Sequence, residues 1–258
     1  TNPKVYLAGV AAQILGLPLL TLALCYLVNP APSVALGMIL IACCPGGTTS
    51  NLLAMFGRAN TALSVSLTAT SSLAAAFVTP ISILFWCSLY PPTDNLLTEI
   101  NLDVSSFLTQ TLIILALPII IGMAIAHFFP RGAAKLQKPL ALIAAFGLLL
   151  IIIAACVKYA PVFMMIGAPL LGLVIAHNSL AFLLGWGAGK ATGADIPMTR
   201  ALTFEVGIQN SGLGIVILLT QLGGYGGAGA IAGLWGTWHI IAGLILVALF
   251  NWRDKQHV

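Results

Sequence analysis

Ala201-Leu-Thr-Phe-Glu205-Val-Gly-Ile-Gln-Asn-Ser-Gly-Leu-Gly-Ile215 lies in an apolar run, yet it holds Glu205, Gln209, Asn210 and Ser211 among three glycines. A carboxylate near a bilayer midplane costs roughly 2.5–3.5 kcal/mol on insertion scales, so such a residue faces a site rather than lipid. Gly207, Gly212 and Gly214 weaken the helix around it. They free backbone carbonyls, which is tolerated at that depth only where the backbone lines a cavity. A second stretch, Pro45-Gly-Gly-Thr-Thr-Ser-Asn51, has the same character. Two interrupted, polar-lined helices in one membrane protein predict a transporter's binding site.

The composition around these stretches sets the class. The 258-residue chain is 60% hydrophobic and 6% charged, with a mean hydropathy of +1.07. Soluble domains carry about 25% charged residues. The apolar runs are far longer than barrel strands, so the spans are helices and the chain reads as an all-α polytopic membrane protein. The net charge of +4 sits in short connections and gives no reason to expect a nucleic-acid partner. Cys25, Cys43, Cys44, Cys87 and Cys156 all lie in apolar segments, where they read as small buried hydrophobes. They show no metal-ligand spacing and no disulfide framework.

Eight spans are expected, near 5–28, 33–57, 60–88, 104–129, 139–157, 165–189, 198–222 and 228–250. The second and seventh are the interrupted ones. The longest loop runs from Tyr90 to Asp103, opens with Pro91-Pro92 and holds Asp94, Glu99 and Asp103. If Lys4 is cytoplasmic, alternation puts Arg58, Arg131, Lys135, Lys138, Lys190, Arg200, Arg253 and Lys255 on the same side. Nine of the ten basic residues are then inside and only Lys158 is outside, as the positive-inside rule requires. Both termini are expected in the cytoplasm, in a cell's inner (plasma) membrane. Spans four to eight form a five-span set whose fourth member is broken. An inverted repeat would place a broken fourth member in the first half too. The first broken span is second here, so two further spans are expected before Thr1, giving eight of ten.

Oxygen ligands from carboxylate, amide, hydroxyl and freed carbonyl suit a hard alkali cation, and no Cys/His pattern competes. The first break offers Ser50 and Asn51; Ser64 and Thr68 follow at i and i+4, on one helical face. The second break offers Glu205, Gln209 and Asn210, with carbonyls around Val206 and Ile208. Gln13 sits in mid-span, five residues before Pro18. Taken singly, hydroxyls in membrane helices commonly bond their own backbone, and Gln13 could serve as interhelical glue. Glu205 resists such a reading, because it is the only acid inside any expected span. His239, midway along the last span, suits packing as well as substrate contact. There is no His-Glu-x-x-His, Gly-x-Ser-x-Gly or Walker motif, so an enzyme is not expected. A Ser211–His239 dyad would be needed for an intramembrane hydrolase.

Pro45–Asn51, Asn60-Thr-Ala-Leu-Ser-Val-Ser-Leu-Thr68 and Phe204-Glu-Val-Gly-Ile-Gln-Asn210 together resemble the bile acid:sodium symporter family, its bacterial members most strongly. The resemblance implies ten helices in two inverted five-helix repeats, with two discontinuous helices that cross. It implies a core domain over 1–90 and 165–250 and the remaining part of a panel domain over 104–160. Two sodium sites are implied. One would comprise Ser50, Asn51, Ser64, Thr68 and Glu205. The other would comprise Gln13, Glu205, Gln209 and the carbonyls of Val206 and Ile208. Thr48, Asn210 and His239 would contact substrate, with Ile240 standing where bacterial members can carry Asn. The expected function is sodium-coupled symport of an organic anion, such as a bile acid or small carboxylate, by alternating access. An arsenite or oxyanion exporter of related fold is the alternative and would need Cys44 as a thiolate ligand.

Overall fold

The computed structural model describes residues 2–158 and 160–256, apart from several side chains between 144 and 166. The described residues form eleven helices: α1 Pro3–Val28, α2 Pro32–Ala42, α3 Thr48–Phe56, α4 Thr61–Ser88, α5 Pro91–Glu99, α6 Val104–Phe128, α7 Pro130–Lys158, α8 Ala160–Ala191, α9 Ile196–Gly207, α10 Ser211–Gln221 and α11 Gly226–Lys255. Five stretches are long and apolar enough to cross a membrane: α1, α4, α6, residues Gly167–Ala191 of α8, and α11. The expected span near 139–157 falls on α7, many of whose side chains lie outside the described residues.

Local chemistry explains most helix ends. Asn60, Asp103 and Asp195 each accept a backbone N–H at the start of α4, α6 and α9, satisfying donors that the helix leaves unpaired. Proline opens α1, α2, α5 and α9, where its missing N–H costs nothing. The stretch Tyr90–Asp103, expected as a loop, contains α5. Pro91-Pro92 starts this helix rather than excluding it.

Both expected interruptions are present. Between α2 and α3 the chain passes through Pro45-Gly46-Gly47, and Pro45 cannot donate to a helix. Between α9 and α10 it passes through Ile208–Asn210, where Ile208 is extended (φ −116°) and Asn210 caps α10 through Leu213 N at 3.0 Å. The breaks meet: Gly46 and Gln209 form an antiparallel bridge, and Asn210 N donates to Pro45 O at 2.9 Å. Each break thus satisfies backbone groups that the other exposes, as a non-aqueous interior demands.

α9 packs most closely on α8. Gly185 and Gly189 make this possible. A Cβ at Gly185 would collide with the Leu202 carbonyl, and one at Gly189 would lie 2.9 Å from Thr199 Cα. α2 is buried from Val34 to Ala42 and packs on α11, with Gly37 against Ala228. Small residues at contacts let membrane helices approach closely. Large apolar side chains point outward on α1, α4, α6 and α11, among them Leu7, Phe77, Ile120 and Leu244.

Candidate functional site

Glu205 lies in the last turn of α9, 1% exposed, just before the break. Three hydroxyls converge on its carboxylate. Thr68 Oγ1 is 2.7 Å from Oε1, while Ser50 Oγ and Ser64 Oγ are 2.9 and 3.1 Å from Oε2. Ser64 and Thr68 also reach Asn51 Oδ1, at 2.8 and 3.1 Å. All five residues grouped around the first break therefore form one network, drawn from α3, α4 and α9. The i, i+4 spacing puts Ser64 and Thr68 on the face of α4 that meets α3 and α9.

The hydroxyls of this network carry fewer hydrogens than the acceptors they face. A hydroxyl supplies one hydrogen, so Ser50, Ser64 and Thr68 have three to share. They face both oxygens of Glu205, Oδ1 of Asn51 and the carbonyl of Gly47, 2.7 Å from Ser50 Oγ. With Glu205 ionised, the cluster carries one negative charge and a surplus of lone pairs. Among the described residues no cationic side chain pairs with Glu205. Such a donor-poor oxygen cluster fits a hard monovalent cation.

The second set is brought together less completely. Gln13 lies within a π-helical turn of α1, Ala12–Gly16, and is 3% exposed; single π turns are frequent at functional sites. A Cβ at Gly46 would touch Glu205 Oε1 and lie 3.3 Å from Gln13 Nε2, so both side chains flank the same glycine. Gln209 Nε2 donates to Val206 O at 2.8 Å. Gln209 Oε1 and Gln13 Nε2 are buried without a hydrogen-bond partner among the described residues. Gln209 Oε1 is thus an orphan acceptor, whose burial is costly unless something else meets it, while Gln13 Nε2 is an orphan donor.

A cavity of about 180 Å3 opens on the crossing. Thr48, Asn210 and His239 all line it, with Thr49, Ser72 and Ile240. Its wall also includes Gly46, Thr68 and Gln209, which belong to or adjoin the Glu205 network. The first turns of α3 and α10, at Thr48 and Ser211, face the same space. The partial positive charge of these helix starts suits an anionic group. Ser211 also lines the cavity, but no hydrogen bond joins it to His239 among the described residues.

Several polar residues were absent from the sequence reading. Asn178, fully buried on α8, donates from Nδ2 to the carbonyl of Gly207 at 2.7 Å, holding the end of α9 at its break. Next to it, His177 Nε2 lies 2.7 Å from Thr21 Oγ1, and its ring stands edge-on to Trp235. A His-Asn pair inside an apolar run was the available signal. Arg200, expected at the cytoplasmic start of the span 198–222, is a buried residue of α9, 7% exposed. It grips Asp254 of α11 with both guanidinium nitrogens, at 2.9 and 2.5 Å. Four cysteines (Cys25, Cys43, Cys44 and Cys87) are buried as expected, while Cys156 lies among the undescribed side chains. Cys44 Sγ donates to Leu40 O of its own helix at 3.3 Å. No group of His, Cys, Asp and Glu able to hold a metal occurs among the described residues.

Residues 1–177 match the Sodium Bile acid symporter family. The uncharacterized sodium-dependent transporter YocS of Bacillus subtilis is 30% identical over 255 residues, 99% of this chain and 76% of that protein. This alignment includes the Glu205 stretch, which the family match does not reach. The probable sodium/metabolite cotransporter BASS1 of Arabidopsis thaliana is 32% identical over 86% of the chain and 53% of its own length. The human ileal sodium/bile acid cotransporter is 29% identical over 70% of the chain and 51% of its own length. The chain thus spans about half the length of the plant and human relatives. On these matches the chain belongs to the sodium bile acid symporter family, whose members are transporters and not enzymes.

Proposed function

We propose that the chain forms the ion- and substrate-binding part of a sodium-coupled symporter for a small organic anion. The observation that carries this is the cluster around Glu205, where oxygen-bearing side chains from α3, α4 and α9 converge and the hydroxyls carry fewer hydrogens than the acceptors they face. Ser50, Asn51, Ser64, Thr68 and Glu205 would hold one sodium ion. Gln13, Glu205, Gln209 and the carbonyls of Val206 and Ile208 would hold a second. Thr48, Asn210 and His239 would meet the anion in the adjoining cavity.

Eight spans in inverted repeats, with α2–α3 and α9–α10 as crossing broken helices, form the matching architecture. A core over 1–90 and 165–250 would move against the helices of 104–160 in alternating access. The membrane would be a cell's inner (plasma) membrane, with both ends of this chain in the cytoplasm, as the distribution of Lys and Arg supports. The exporter alternative is disfavoured by Cys44, whose thiol is tied to its own helix.

The test is sodium-dependent uptake and thermal stabilisation in wild type and Glu205→Gln across a pH series. The substitution keeps the volume and removes the charge, so sodium-driven uptake should be abolished in a folded protein. In wild type, a proton and sodium compete for one carboxylate. The half-saturating sodium concentration should therefore rise as pH falls, and sodium binding should release protons where the carboxyl is partly protonated. An equal sodium response in both proteins would show that another group carries the coupling ion.

A further inference from the structure

The ends of α8, α9 and α11 enclose a second pocket, of about 180 Å3, lined by none of the residues of the Glu205 site. Lys190, Arg200 and Arg253 meet there beside Trp186, Phe250 and Asp254. Arg200 and Asp254 answer each other through two hydrogen bonds, and the guanidinium stacks on Phe250 at 4.7 Å. Arg58, 3.8 Å from Asp254, adds another cation to that carboxylate. The acid lining the pocket is thus already matched. Lys190 and Arg253 are exposed, and no carboxylate lies within ion-pair distance of either among the described residues. Asp195, the nearest acid in sequence to Lys190, caps α9 through Met198 N and does not line the pocket.

The apolar part of the pocket narrows the ligand. Trp186 is 48% exposed and Ile196 62%, and Lys190 Nζ stands 5.9 Å from the Trp186 ring. Two unpaired cations beside outward-facing indole and aliphatic side chains, at the ends of membrane helices, match an amphiphile with an anionic head. A free inorganic anion would use the cations but not Trp186 or Ile196.

We propose that this pocket binds the phosphate of an anionic phospholipid. Lys190 and Arg253 engage the phosphate, and Trp186 and Ile196 pack on the glycerol and upper acyl chains. The floor of the pocket is Arg200, one helical turn and a residue before Glu205 on α9, so the lipid braces the helix that bears the candidate ion ligand.

The experiment compares the purified protein in phosphatidylcholine bilayers with and without phosphatidylglycerol. It reads the thermal unfolding midpoint and the phospholipid that survives detergent washing. Phosphatidylglycerol should raise the midpoint and be retained in preference to phosphatidylcholine. Lys190→Ala and Arg253→Ala should each weaken retention about fivefold, following the usual gain per basic residue near an anionic surface, and the double variant should remove the preference. Lys135→Ala/Lys138→Ala, with basic residues outside the pocket, should keep it. Two results would overturn the proposal: an undiminished preference in the Lys190/Arg253 double variant, or equal stabilisation by inorganic phosphate in detergent.

Discussion

Gly46 and Gly47 are neighbours with opposite tolerances, and this contrast tests the candidate ion site most directly. Gly46 bridges to Gln209, and its φ is not in the left-handed region that would itself demand glycine. An alanine there fails for another reason: its Cβ would touch Glu205 Oε1 and come within 3.3 Å of Gln13 Nε2. Either the carboxylate leaves its three hydroxyl partners or the bridge shifts. Overpacking of this kind costs about 1–3 kcal/mol, which corresponds to roughly fivefold to a hundredfold weaker sodium binding if the site absorbs the strain. At Gly47 the nearest atom to a new Cβ is Thr49 N, at 4.0 Å, and the backbone is extended (φ −121°, ψ 169°). Gly47→Ala weakens only the cap of α3, by about 0.5 kcal/mol. The assay is sodium titration followed by thermal stabilisation, with sodium-driven uptake measured in parallel. Equal sodium affinities in the two alanine variants would refute the placement of Glu205 as an ion ligand beside Gly46.

Further outcomes are expected. Asn51→Ala and Thr68→Ala should each weaken sodium binding about tenfold or more, since each removes an oxygen and a hydrogen-bond partner from a buried charged cluster; unchanged affinity in both would remove the first site. Asn178→Ala should leave Gly207 O without its donor and lower sodium affinity by about fivefold to tenfold, through loss of one buried hydrogen bond; Asn178→Asp, which cannot donate when ionised, should not restore it. Asp254→Asn should strip the partner from a guanidinium that is 7% exposed and destabilise the protein by about 1–3 kcal/mol, allowing for the partial exposure of Asp254. Arg58→Ala, at the exposed end of the same cluster, should change the stability by less than about 0.5 kcal/mol.

Both helix breaks were legible in the sequence because each rests on local chemistry. Pro45 removes a donor, Gly207 has no side chain, and Asn210 is a strong cap. The grouping of Ser64 with Thr68 was legible for a similar reason, since helical spacing fixes a common face. Contacts between distant segments were not. Nothing local in Gly46 states that its missing Cβ makes room for Glu205, 159 positions later. Arg200 reads as a solvated span-end residue because a charge near a span's end usually snorkels to water. Asp254, 54 residues further on, makes its burial possible. Helix α5 was hidden by the prolines that open it and the acids that follow.

Ion and substrate would be separated by a single wall in this arrangement. Thr68, Gln209 and Gly46 line the cavity and also belong to or touch the groups around Glu205. On the proposed mechanism, a cation at Glu205 ties α3, α4 and α9 together at the point where the two breaks bridge. The same cation would fix the first turns of α3 and α10, which face the cavity at Thr48 and Ser211. No long pathway is needed to link the two occupancies. The far end of α9 is held by Asp254 and its flank by α8, with Asn178 fastened to Gly207. The helix therefore has fixed points on either side of Glu205, and ion binding would act on the short bridged segment between Gly207 and Ser211 rather than on the whole helix.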